Sequence, residues 1–106
     1  MTITATQTNG IERIQCATGA HLDSASSPDP ASISLGFVPR YIEVENDTDR
    51  ILLQWRQGMT SAYAIKTAAA GTRTLETSGG ITIGATGKSF SFAVTQNKQY
   101  RWRAIS

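Results

Sequence analysis

The stretch RYIEVENDTDRILLQWRQ, Arg40 to Gln57, constrains the fold more than any other part of the chain. Apolar residues recur at every second position on both sides of a short polar tip. Ile42 and Val44 alternate with Tyr41, Glu43 and Glu45, and Ile51, Leu53 and Trp55 alternate with Arg50, Leu52, Gln54 and Arg56. A period of two belongs to a strand with one buried face, not to a helix. The tip, Asn46 to Asp49, carries side chains that bond their own backbone and tolerate left-handed geometry. Two alternating runs around such a tip predict a β-hairpin. Both tryptophans of the chain fall on apolar strand faces, so Trp55 is read as a core residue rather than a stacking platform.

The same period returns along the rest of the chain. SISLGF aligns Ile33, Leu35 and Phe37, and KSFSFAVT aligns Phe90, Phe92 and Val94. QYRWRAI places Tyr100, Trp102 and Ala104 on one face and Arg101 and Arg103 on the other. Shorter strands are expected at Tyr63 to Thr67, in TRTLET and in ITI (Ile81 to Ile83), separated by turns at SGG, GATG and QNK. Seven to nine short strands at roughly ten-residue spacing, without a helical period, predict an all-β, antiparallel β-sandwich or small barrel. The 14 threonines and 10 serines suit strands with one wet face.

The first 32 residues read differently. Residues 1–10 are rich in Thr, Asn and Gln, and IERIQCA (Ile11 to Ala17) alternates only weakly. Gly19 to Ser32 has loop composition, with two prolines, four serines and two aspartates. A loop of that length in a compact domain points to a functional segment or an arm ordered by a partner. The expected organisation is an N-terminal arm and loop over 1–32 and a β-sandwich domain over 33–106.

At 106 residues the chain makes one domain. Cys16 is the only cysteine, so no internal disulfide forms, which fits a reducing compartment. The N-terminus has neither the basic run nor the apolar stretch of a secretory signal, and no run is long enough to span a membrane. The chain is therefore expected in the cytoplasm, or carried out of the cell inside a larger assembly. Charge is divided unevenly. Residues 1–49 hold seven acids and two bases (−5), and residues 50–106 hold eight bases and one acid (+7). Three readings stay open: strands that interleave the charges, complementary faces that meet between subunits, and a nucleic-acid partner.

No reactive residue stands in a catalytic grouping that the sequence can show. His21, the only histidine, lies in the polar loop without an orienting partner in sequence, and is read as solvated. Cys16 and His21 together cannot supply the four ligands of a structural zinc, and Cys16 is read as a half-buried small thiol. GATGKS (Gly84 to Ser89) imitates a phosphate loop, but Thr82 stands where its first glycine belongs and a strand follows instead of a helix. Asp47 with Asp49, and Glu43 with Glu45, are carboxylate pairs on an exposed turn or outer strand face. Arg101 and Arg103 flank Trp102 as in some single-strand binders, but the alternation points the indole the other way. No enzymatic activity, cofactor or metal is expected, and a nucleic-acid partner is disfavoured.

From Leu35 onward the chain resembles small virion proteins of tailed bacteriophages. The resemblance rests on GFVPRYIEVEN leading to Trp55 and the Gly58-Met59 pair, GTRTLETSGGITI, the Phe-containing strand, and the terminal YRWRA. It implies a β-sandwich of jelly-roll type that oligomerises, as dimer or trimer, and clamps the major capsid protein as a capsid decoration (cement) protein. The implied location is the capsid surface of the virion, with the host cytoplasm during assembly. The alternative is a tail, baseplate or fibre component that binds glycan. Candidate partner-binding residues are Asp47 and Asp49, acidic with the N-terminal segment, facing Arg56, Arg101 and Arg103 across a subunit joint.

Overall fold

The computed structural model describes residues 15–22 and 30–106. Nine strands, β1 (Cys16–Leu22), β2 (Ala31–Ser34), β3 (Tyr41–Asn46), β4 (Ile51–Arg56), β5 (Ala64–Thr67), β6 (Arg73–Glu76), β7 (Thr82–Ile83), β8 (Ser89–Phe92) and β9 (Gln99–Ile105), form two antiparallel sheets, with no helix among the described residues. The large sheet runs β1-β9-β3-β4-β5-β6 and the small one β2-β8-β7. Consecutive strands β3, β4, β5 and β6 lie side by side as a meander, and β9 returns from the end of the chain to lie between β3 and β1. The all-β, antiparallel reading of the sequence holds.

The small sheet packs on one face of the large one. Phe90 meets Trp102 edge-on and Phe92 meets Tyr100, each at 5.7 Å between ring centroids. Ile42, Val44, Trp55, Ala64, Ile81 and Ala104 complete the core, and Leu35, Leu53 and Met59 pack against it. The alternation in β3, β4, β8 and β9 is thus explained by one event, burial of every second side chain between two sheets. The hairpin tip behaves as its composition predicts, with one difference. Asn46 clamps the turn, accepting the Asp49 N–H at 3.1 Å and donating to Asp49 Oδ2 at 3.0 Å. The left-handed position falls to Arg50 (φ +57°), outside the Asn-Asp tip.

Three expectations change. Of the strand expected over Ile11–Ala17, residues 11–14 lie outside the described residues, and the loop expected from Gly19 gives way at both ends: Cys16–Leu22 pairs with β9 along its whole length, and Ala31 and Ser32 open β2. Of the arm expected over 1–32, residues 1–14 and 23–29 lie outside the described residues. β1 was hidden because its outward positions (Cys16, Thr18, Ala20) are small, and its inward Gly19 lies under Trp102. Pairing with a strand 80 residues away holds it in place, and no local pattern encodes that. Cys16 is exposed rather than half-buried. His21 is a half-buried strand residue opposite Tyr100, not a solvated loop residue.

Candidate interaction site

The small sheet covers one face of the large sheet and leaves the other open among the described residues. Directly opposite residues in an antiparallel pair share a face. The register therefore aligns Thr18 with Arg103 and Ala20 with Arg101 across β1 and β9, and Arg103 with Glu43 and Arg101 with Glu45 across β9 and β3. Long charged side chains on β9 and β3 stand beside small ones on β1. The step between them is an open groove of about 460 Å³, with Gly19 and Trp102 between the flanking side chains.

The charges of this face are joined to one another. Arg101 donates from Nε to Asp47 Oδ2 at 2.6 Å and from Nη2 to Asp47 Oδ1 at 3.1 Å. This planar two-point contact raises the guanidinium's affinity for its proton, and the nearby Glu45 adds to it. Arg103 Nη2 lies 3.2 Å from Glu43 Oε1. The other oxygen of Glu43 accepts the Tyr41 hydroxyl at 2.8 Å, and Gln54 Nε2 donates to Tyr41 Oη at 2.8 Å. Gln54, Tyr41 and Glu43 form one hydrogen-bonded row across β4 and β3, and the ion pair with Arg103 extends it to β9. The Tyr41 pKa is pushed up, first by desolvation, with the Glu43 carboxylate adding to the shift and the Gln54 hydrogen bond opposing it.

Asp49 accepts from Lys98 Nζ at 3.0 Å, and that bond is the main cause of its lowered pKa. The turn carrying both aspartates is also tied to β9 through its backbone. The Asp47 N–H donates to the Gln99 carbonyl at 2.8 Å, and the Gln99 N–H donates to Thr48 Oγ1 at 2.9 Å.

The five candidate residues are accordingly not two opposed patches. Asp47 and Arg101 are each other's partner, Asp49 pairs with Lys98, and Arg103 pairs with Glu43. Arg56 stands apart, opposite Tyr41 at the far end of the hairpin. The division of charge along the chain is undone because β9, from the basic half, lies beside β3, from the acidic half. The sequence places Glu43 on an outer strand face but shows neither its pairing with Arg103 nor the nearness of Lys98 and the small residues of β1. Only the long-range pairing of β9 with β1 and β3 places them there.

Among the described residues no cluster of three or more His, Cys, Asp or Glu side chains could hold a metal ion. GATGKS is a hairpin turn between β7 and β8, closed by the Gly84 N–H on the Ser89 carbonyl at 2.9 Å, with Gly87 at φ +76°. Among the described residues no helix is long and apolar enough to cross a membrane. Comparison with protein-family models, with curated proteins and with solved structures finds no match to the chain.

Proposed function

We propose that the chain is a virion structural protein of a tailed bacteriophage, a decoration protein that binds the assembled major capsid protein shell. The observation that carries this reading is the large sheet's division of labour. One face is used up by the small sheet, and the other is a broad ledge of interlocked polar side chains with a shallow groove. Such a surface is rigid before contact, so docking costs little ordering of side chains. A protein that binds the assembled shell and not its free subunits stabilises the shell by mass action.

The jelly-roll reading is favoured by how the chain is rolled. β1 pairs with β9 in one sheet and β2 with β8 in the other, so the two ends of the chain run as a nested antiparallel ribbon across both sheets. The meander β3-β4-β5-β6 departs from an even two-sheet division of strands. The N-terminal segment completes the reading as an arm that reaches the shell. A nucleic-acid partner is disfavoured, because Arg101 and Arg103 share their face with Glu43, Glu45 and Asp47.

A tail, baseplate or fibre component is the second reading, favoured by the groove itself. Its carboxylates and guanidinium groups are of the kind that hold sugar hydroxyls, so it is a place for glycan. Expanded shells lacking the protein separate the two. With added chain, they should take it up to saturation and disassemble at a higher temperature. Shells that sediment without the chain and melt unchanged would exclude the decoration role.

A further inference from the structure

We propose that the free edge of β6 is a self-association site, at which a second copy of this chain adds its own β6 across a two-fold axis through Leu75. This goes beyond the decoration reading and does not depend on it. β6 is the last strand of the large sheet and pairs only with β5 among the described residues.

The register tells which backbone groups are left over. The Ala68 N–H donates to the Thr72 carbonyl at 2.9 Å, so the pair 68/72 is of the hydrogen-bonded kind. These pairs alternate along an antiparallel ladder. Lys66 with Thr74 and Ala64 with Glu76 are then also bonded pairs. The N–H and C=O groups of Arg73 and Leu75 consequently point away from β5, toward the open edge, and Thr77 follows in a bend just past the end of β6.

The edge is short, four residues with Arg73 and Glu76 among them, yet its backbone is uninterrupted. It has no proline, and no residue from Thr72 to Thr77 has a positive φ. Arg73 and Glu76 project to opposite faces of the sheet, as their register with Thr67 and Ala64 requires. Leu75, 57% exposed, is one of the few large exposed hydrophobic residues, and it lies directly opposite Ile65 on the outer face.

A two-fold axis at Leu75 satisfies all of these groups together. Leu75 faces Leu75 of the second copy, so their leftover donors and acceptors meet in pairs, and Arg73 reaches Thr77 on both sides once the bend after Glu76 extends to continue the strand. The leucines and the two Ile65 side chains form one apolar strip. On the other face Thr74 lies opposite Glu76 of the second copy. That carboxylate is one strand beyond Lys66, which already pairs with its own Glu76 at 4.0 Å. No like charges stand directly opposite, and the two Glu76 carboxylates, diagonal neighbours on that face, each lie near a Lys66. An axis at Thr74 would instead bring Gly71, at φ +93°, into the ladder and break it.

Sedimentation of the full chain across a concentration series should show the mass rising from 11.4 kDa to twice that value. Leu75→Lys, which sets two ammonium groups face to face, should keep the melting midpoint and hold the mass at the monomer. Cysteine scanning in a Cys16→Ser background reads the register. Paired Leu75 Cα atoms should lie about 5.5 Å apart, inside the disulfide range of roughly 4.4–6.8 Å. Arg73 positions should be separated by about 14 Å, four residue steps along the strand. Mild oxidation should therefore cross-link Leu75→Cys and leave Arg73→Cys monomeric. Equal cross-linking of both, or a monomer at every concentration, would overturn the proposal. So would amide protection at Arg73, Leu75 and Thr77 that does not change with concentration, because the chain would then cover its own edge.

Discussion

Arg101 in β9 closes two hydrogen bonds, of 2.6 and 3.1 Å, on the carboxylate of Asp47 at the tip of the β3–β4 hairpin. The contact joins the basic second half of the chain to its acidic first half, 54 residues away. It belongs to a set of pairs that includes Arg103 with Glu43 and Lys98 with Asp49. Part of a charge division that in sequence suggests two attracting surfaces is, in the fold, taken up by internal pairs.

Attachment to a shell should therefore depend weakly on salt. Steering needs an unbalanced field, and these pairs leave little of one beyond a Debye length of about 8–10 Å. Arg101→Glu with Arg103→Glu should lower the melting midpoint at low salt, since it sets new carboxylates beside Asp47, Glu45 and Glu43. Added salt should recover much of the loss. Melting curves at low and high salt read this directly. A double variant with an unchanged midpoint and a markedly slowed attachment would mean that the arginines serve the partner rather than the fold.

Gly19 and Trp102 should behave as one unit. A β carbon at Gly19 would lie 2.5 Å from Trp102 Cε2 and 2.8 Å from Nε1, so Gly19→Ala forces the indole off its seat against Phe90. The expected cost is about 1–3 kcal/mol, the range for overpacking. Trp102→Ala should cost about 2–3 kcal/mol, below the value for a fully buried tryptophan because the ring is half-buried. With Trp102 already alanine, Gly19→Ala should cost almost nothing. Denaturant titration of the four proteins gives the coupling, and additive losses would refute the contact.

Much of the fold was legible because burial acts on neighbours in sequence. The faces of Ile42, Val44, Leu53, Trp55, Phe90 and Phe92 followed from alternation alone. What stayed hidden was pairing between distant strands. β1 lacks alternation because Gly19 gives way to an indole from β9, and the partners of Asp47 and Asp49 lie about 50 residues along the chain. Composition marks NDTD as a turn but does not place its left-handed residue at Arg50.

Ala62→Gly should stabilise the fold. Ala62 holds φ +73°, and its N–H donates to the Ile81 carbonyl while its own carbonyl accepts the Gly80 N–H. The left-handed conformation costs an L-residue about 1–2 kcal/mol, and glycine's greater freedom in the unfolded chain returns part of that. A net gain of up to about 1 kcal/mol is expected in urea unfolding. A loss would mean that the strain at Ala62 is absent in solution.

Stability should fall at both ends of the pH scale for identified reasons. The Asp49 carboxyl has its pKa lowered from 3.8, chiefly by the Lys98 hydrogen bond. Its contribution is present above that unfolded value and is lost as pH falls through the lower folded one. Tyr41 is shifted upward from 10.0 by desolvation. Its contribution is intact below pH 10 and is lost as pH rises from there through the folded value. Lys98→Met should flatten the acid limb and Tyr41→Phe the alkaline one, each read from melting midpoints against pH. A variant that leaves its limb as steep as before would remove that residue from the explanation.

Copy number in the particle tests the proposed function most directly. Purified virions can be separated on a denaturing gel and the stained bands compared by densitometry. If the chain decorates the shell, its 11.4 kDa band should approach the molar amount of the major capsid protein. A band equivalent to a few or a few dozen copies per particle would place it in the tail, and its absence from purified particles would contradict a virion role altogether.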